Sequence, residues 1–162
     1  MNLIVAVDEK WGIGNDGKLL AHLPGDLKYF KEKTRGKTVV MGRKTLDSLP
    51  GGKPLPERTN IVLTRNRNYE KEGCKVVHSK DELIKECSGY EKDEVMIIGG
   101  ASLYRMFLDD CEKLYVTRIF SAFSADTFFP NLDEDQRFKM TYQSPLQKEN
   151  QLSYVWTEYT RI

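Results

Sequence analysis

Cysteine and histidine are scarce in this chain, and neither is arranged for chemistry. The three cysteines, Cys74, Cys87 and Cys111, are odd in number, far apart and without a C-x-x-C pair. That pattern argues against a disulfide framework or a zinc site and suits a reducing compartment. His22 and His78 stand alone, so no metal centre is expected. Charge of one sign is missing too: 25 Lys and Arg stand against 24 Asp and Glu, a net +1. Such a balance gives no electrostatic footprint for nucleic acid or an anionic membrane. No apolar run approaches the roughly 18 residues that cross a bilayer. The opening Met-Asn-Leu-Ile-Val-Ala-Val-Asp has no basic stretch or cleavage site of a secretion signal, and a cytoplasmic location is expected. Repeats, low-complexity tracts and Ser/Pro/Gly-rich linkers are absent, so residues 1–162 are read as one domain.

What is present is an alternation of short patterns. Leu3–Val7, Thr38–Met41, Asn60–Thr64, Lys75–Val77, Val95–Ile98 and Leu114–Ile119 are β-branched and bounded by turn residues, several apolar enough to be buried on both faces. Helical patterns fall at Asp26–Lys33, Arg43–Leu49, Lys80–Cys87 and Ala101–Leu108, the third opened by a Ser79/Glu82 capping box. Strand–helix alternation predicts an α/β domain: a predominantly parallel mixed sheet flanked by about four helices. Lys139–Gln143 and Ser153–Tyr159 read as two late strands joined by a polar turn, an antiparallel edge.

Gly12-Ile13-Gly14-Asn15-Asp16-Gly17 matches G-x-G-x-x-G. The dinucleotide motif must follow a strand directly and open a helix. Here Asp8 to Trp11 intervene and no helical start follows, so a surface loop is expected. Better anion sites lie where strand Thr38–Met41 runs into Gly42-Arg43-Lys44-Thr45, and where Val95–Ile98 runs into Gly99-Gly100-Ala101-Ser102. Each sets a small residue before a helix N-terminus, where free N–H groups attract an anion. Two such sites could hold the two phosphates of a dinucleotide, and Arg43, Lys44 and Arg65 would suit a third, favouring NADPH over NADH. Each glycine turn, taken alone, reads more readily as an ordinary tight corner with basic residues facing solvent.

At 100° per residue, Asp26, Leu27 and Phe30 share one helix face. A carboxylate among apolar groups has its pKa raised by desolvation, as an acid that binds and protonates a heterocycle requires. Spacing alone also fits a solvated first-turn Asp after Pro24.

Taken together, the segments resemble the dihydrofolate reductase family. The resemblance rests on Leu23-Pro24-Gly25-Asp26-Leu27-Lys28-Tyr29-Phe30, Val40-Met41-Gly42-Arg43-Lys44-Thr45, Pro54-Leu55-Pro56-Glu57-Arg58-Thr59-Asn60, Ile97-Ile98-Gly99-Gly100-Ala101-Ser102-Leu103-Tyr104 and Ala125-Asp126-Thr127-Phe128-Phe129-Pro130. These occur in the family's order over nearly the whole chain. The resemblance implies reduction of dihydrofolate with NADPH, Asp26 binding the pterin and supporting N5 protonation while hydride passes to C6. Thr117 is then the hydroxyl partner of that carboxylate. Ile4, Val5, Ala6, Leu19, Leu27, Phe30, Leu49 and Leu55 would contact substrate, and Arg58 would grip its glutamate tail. Ala6, Ile13, Gly42, Arg43, Lys44, Thr45, Leu63, Thr64, Arg65, Ile98, Gly99, Gly100, Ala101, Ser102, Leu103 and Tyr104 would contact NADPH, Tyr104 beside the nicotinamide. Gly99-Gly100 matches the family's cis peptide, and the G-x-G-x-x-G stretch falls in its mobile loop. A monomer is expected by the same analogy. A pyrimidine reductase of flavin synthesis shares the implied fold, but Asp26 with Arg58 argues against it, and a non-catalytic folate-binding module would have no use for the full cofactor surface. Departures are Leu20-Ala21 where the family usually has Pro-Trp, which bears on the water path to N5; Ala125 for a usual Gly; and one extra residue around Pro50-Gly51-Gly52-Lys53.

Overall fold

A computed structural model describes residues 1–162. In chain order the elements are β1 (Asn2–Val7), β2 (Gly12–Gly14), α1 (Pro24–Thr34), β3 (Thr38–Gly42), α2 (Arg43–Ser48), β4 (Thr59–Leu63), β5 (Cys74–Val77), α3 (Lys80–Cys87), β6 (Val95–Gly99), α4 (Ala101–Phe107), β7 (Lys113–Ile119), β8 (Thr127–Phe128), β9 (Phe138–Gln143), β10 (Gln147–Glu149) and β11 (Leu152–Arg161). All six expected strands and all four expected helices form, with ends moved by one or two residues. The main sheet runs β10-β11-β7-β1-β6-β3-β4-β5, with β9 on the far side of β11. Its β7-β1-β6-β3-β4-β5 portion is wholly parallel. β1, β3 and β6 lie at its centre and are buried almost throughout, which explains why they read as continuous apolar runs instead of alternating ones.

Local chemistry sets the helices. Pro24 opens α1 with its φ already suited to a first turn; Asp26 lies near the N-terminus and Lys31 and Lys33 near the C-terminus, each favourable to the helix dipole. Ser79 accepts from the Glu82 N–H at 3.1 Å, the expected half of the capping box. Glu82 reaches back one residue further than the motif requires and accepts from the His78 N–H instead.

Two expectations need correction. The late strands are not joined by a plain turn: β10 intervenes and pairs with the start of β11, while β9 pairs with its end across a bulge between Glu158 and Tyr159. The G-x-G-x-x-G stretch is not a bare loop. Gly12–Gly14 is β2, paired with β8, and the Asp16 N–H donates to the Asp126 carboxylate at 2.9 Å. No helix follows it, as the Rossmann reading would demand. Asp8, fully buried, anchors the ribbon: Oδ1 accepts from the Gly12 and Lys10 amides and Oδ2 from that of Phe123.

Candidate active site

Three strands and one helix converge on Asp26. In register, Ala6 on β1 faces Thr117 on β7, and Thr117 faces Trp156 on β11. Directly opposed residues project to the same side of a sheet, and α1 lies over that side. Thr117 Oγ1 donates to Asp26 Oδ1 at 2.7 Å, and the indole Nε1 of Trp156 donates to the same oxygen at 3.0 Å. Burial pushes the Asp26 carboxyl above its ordinary value; the Thr117 and Trp156 hydrogen bonds partly oppose this, and the nearby Glu149 carboxylate adds to it. Asp26 is thus enclosed and hydrogen-bonded by β7 and β11 rather than solvated at the helix end. Nor does Asp26 cap the helix, since the N-cap position belongs to Leu23 and no side chain bonds there.

Asp26 opens on a pocket whose walls include Ala6, Ile13, Leu19, Ala21, Leu27 and Ile119. Of these, the resemblance assigns Leu19 and Leu27 to substrate, Ile13 to NADPH and Ala6 to both. Leu19 and Leu27 stand at the rim, the former 73% exposed. Ile4 and Val5 continue β1 behind it, and the Ile4 carbonyl accepts from the Tyr104 hydroxyl at 2.7 Å. Tyr104 is buried with its ring edge-on to Phe129.

Away from Asp26, Arg58 donates from Nη1 to Thr34 Oγ1 and from Nε to the Pro56 carbonyl, both at 2.9 Å. Thr34 ends α1, eight residues beyond Asp26, a rise of about 12 Å. Phe30 lies between, half-buried. Leu49 and Leu55 are not in the Asp26 pocket; they pack with Ile98 against the smaller apolar cluster of Val39, Met41, Leu46 and Val62.

The glycine turns are neighbours. β3 pairs with β6 so that Met41 faces Gly99, which sets Gly42 and the cis Gly99–Gly100 pair side by side at the strands' carboxyl ends. Gly99 has φ +129°, and a Cβ there would lie 3.3 Å from the Tyr104 hydroxyl and 3.5 Å from Thr45 Oγ1, so the turn accepts only glycine without strain. The N-caps of α2 and α4 are Gly42 and Gly100, neither offering a side chain to the free amides of Arg43–Thr45 or Ala101–Leu103. Arg43, Lys44 and, past the end of β4, Arg65 are exposed, and none takes part in any of the seven ion pairs. Leu63 and Thr64 lead to Arg65, Thr64 held by β5 through the Val77 carbonyl and by His78. Ser102 is exposed and Leu103 buried beside Gly42. Unpaired cations and uncapped amides at the carboxyl ends of neighbouring strands fit a phosphate-bearing dinucleotide.

Reading the sequence missed Trp156 and Asp8. Trp156 enters only through the pairing of β11 with β7, 39 positions from Thr117 in sequence, and no local signal marks it. Asp8, an acid between an apolar run and a Trp-Gly pair, had a signal in its position, since an acid ending a buried strand must find partners.

The comparisons agree with this geometry. The dihydrofolate reductase family model matches residues 1–161. The chain is 39% identical to the dihydrofolate reductase of Staphylococcus haemolyticus over 163 residues, covering 100% of this chain and 96% of the relative. It is likewise 39% identical to that of Bacillus subtilis strain 168 over 162 residues, covering 99% and 94%. Among solved structures, dihydrofolate reductase from Enterococcus faecalis complexed with NADP(H) and RAB-propyl superposes with a TM-score of 0.88 at 39% identity, covering 99% of this chain and 95% of that one. With the match spanning the whole sheet and both glycine turns, the chain belongs to the dihydrofolate reductase family.

Proposed function

We infer that this chain reduces 7,8-dihydrofolate to 5,6,7,8-tetrahydrofolate with NADPH, supplying the reduced folate for one-carbon and thymidylate metabolism. The observation that carries the reading is the Asp26 carboxylate, desolvated yet held by the Thr117 hydroxyl at 2.7 Å, in a pocket lined mainly by apolar residues. Asp26 accepts the amino and ring N–H groups of the pterin and supports the proton on N5, with Thr117 fixing its rotamer. Ile4, Val5, Ala6, Leu19, Leu27 and Phe30 enclose the ring system and its aryl group, and Leu49 and Leu55 extend that apolar wall. Arg58 meets the tail carboxylate about 12 Å along α1.

Gly42, Arg43, Lys44 and Thr45, then Leu63, Thr64 and Arg65, then Ile98 through Tyr104 hold the cofactor, with Ala6 and Ile13 where it meets substrate. When bound, NADPH supplies the hydride for the carbon next to N5. The chain's own contribution is to keep water from the apolar side of that carbon and to hold the proton at Asp26. On this reading residues 1–162 act as one catalytic domain, a cytoplasmic monomer, and light scattering of the purified chain checks the last point. Loss of NADPH absorbance on adding dihydrofolate tests the function; no oxidation despite binding of both molecules would leave only a folate-binding module.

A further inference from the structure

Trp156 is constrained from every side. Its backbone is clipped by Ser144, which donates to the Trp156 carbonyl at 2.8 Å and accepts from its N–H at 2.9 Å. Its ring stacks on Tyr29, with centroids 4.7 Å apart and planes at 13°, and meets Tyr154 edge-on. Tyr29 lies three residues beyond Asp26, on the same face of α1, so one helix face presents both the stacking partner and the acceptor of this indole. Ala21, where the family usually has Trp, packs in the same apolar cluster as Trp156.

Both neutral donors near Asp26, the Thr117 hydroxyl and the Trp156 indole, reach Oδ1; Oδ2 receives no protein donor. An oxygen accepting two hydrogen bonds has no lone pair free for a proton. We propose that Trp156 is a positioning residue for the acid: with Thr117 it saturates Oδ1, leaving Oδ2 to carry the proton and meet the substrate ring. This rests on the reading of Asp26 as the acid. It makes the indole a direct fixture of the acid from β11, in a chain that has alanine at position 21. The hydrogen bond stabilises the ionised carboxylate, opposing the effect of burial.

The intact protein supplies the first test. It has two tryptophans, and Trp11, set edge-on to Tyr159 and beneath Arg118, serves as an internal control. In an NMR titration the Trp156 indole N–H resonance is expected to follow the Asp26 carboxyl midpoint, and to stop following it in Asp26→Asn. A Trp156 resonance that ignores the Asp26 titration would overturn the proposal. Trp156→Phe keeps an aromatic stack on Tyr29 and removes the donor. The Asp26 midpoint should then rise by about one pH unit, and the pH profile of turnover should move with it while the KM for NADPH stays put. A purely structural role would lower stability and leave the midpoint where it was, and that result would also overturn the proposal. Absence of turnover in the unmodified protein would sink the reductase reading, while the carboxyl titration would still decide the role of Trp156.

Discussion

The guanidinium of Arg58 and the hydroxyl of Thr34 meet at 2.9 Å at the end of α1 remote from Asp26. With Nε on the Pro56 carbonyl as well, Nη2 is the nitrogen left free of protein acceptors, so a carboxylate can still be engaged there. Lysine would preserve the charge and lose the fork. Arg58→Lys should raise the KM for dihydrofolate about tenfold or more with little change in turnover at saturation. A pterin substrate lacking the glutamate tail should be almost indifferent to the change. An equal loss with both substrates would show that Arg58 merely supports the fold.

Replacing Asp26 by asparagine removes the acid and keeps an acceptor for Thr117 and Trp156. Turnover near neutral pH is expected to fall by about 100- to 10,000-fold, with NADPH affinity largely intact because the glycine turns and unpaired cations lie elsewhere. Stopped-flow fluorescence on NADPH binding, beside steady-state rates, separates the two effects. Near-normal turnover would remove Asp26 from the chemistry.

The same variant should be more stable than the parent. Burial holds the Asp26 carboxyl above its ordinary value near 3.8. Below that value the group is neutral in the folded and unfolded chain alike, and its burial carries no charge penalty. As pH rises through the unfolded value and then the higher folded one, the unfolded chain ionises more readily, so the folded state loses stability. Asparagine escapes this. Asp26→Asn should raise Tm near pH 7 by a few degrees, on the order of 2–4 °C, with the gain vanishing below about pH 4. Calorimetry across that range decides, and a variant that melts lower at pH 7 would speak against a desolvated charge.

How far the sequence speaks depends on where each interaction is made. The buried strands and the glycine turns after Met41 and Ile98 are local, carried by β-branched runs and by residues at strand–helix junctions, and they were legible. Asp26 was half legible: helical spacing put it on an apolar face, but only the matching motifs separated it from a helix-end acid. Trp156 could not be read, because its role depends on β11 pairing antiparallel with β7 in one register, which places it opposite Thr117; a slip of one residue would turn the indole to the other face. The β2–β8 ribbon was hidden for a similar reason, being three residues paired with two others over a hundred positions away.

That ribbon gives the last prediction, since one of its contacts involves a departure from the family's pattern. A Cβ built on Gly12 would lie 2.7 Å from the Ala125 Cβ and 3.1 Å from both carboxylate oxygens of Asp8. Ala125 has no flexible end to swing away, and Asp8 is held by three backbone amides. Gly12→Ala must therefore push β2 off its neighbours, at a cost of about 1–3 kcal/mol, and should disturb the pocket wall that includes Ile13 and Leu19. Ala125→Gly alone should have a small effect of its own, through chain flexibility. Combined with Gly12→Ala it removes the nearest clash, so the double variant should recover most of the lost stability. The coupling in a double-mutant cycle on Tm and on the KM for dihydrofolate measures this contact directly. Strict additivity of the two changes would mean that the ribbon relaxes without pressing on residue 125, and that Ala125 does not set how closely the two segments pack.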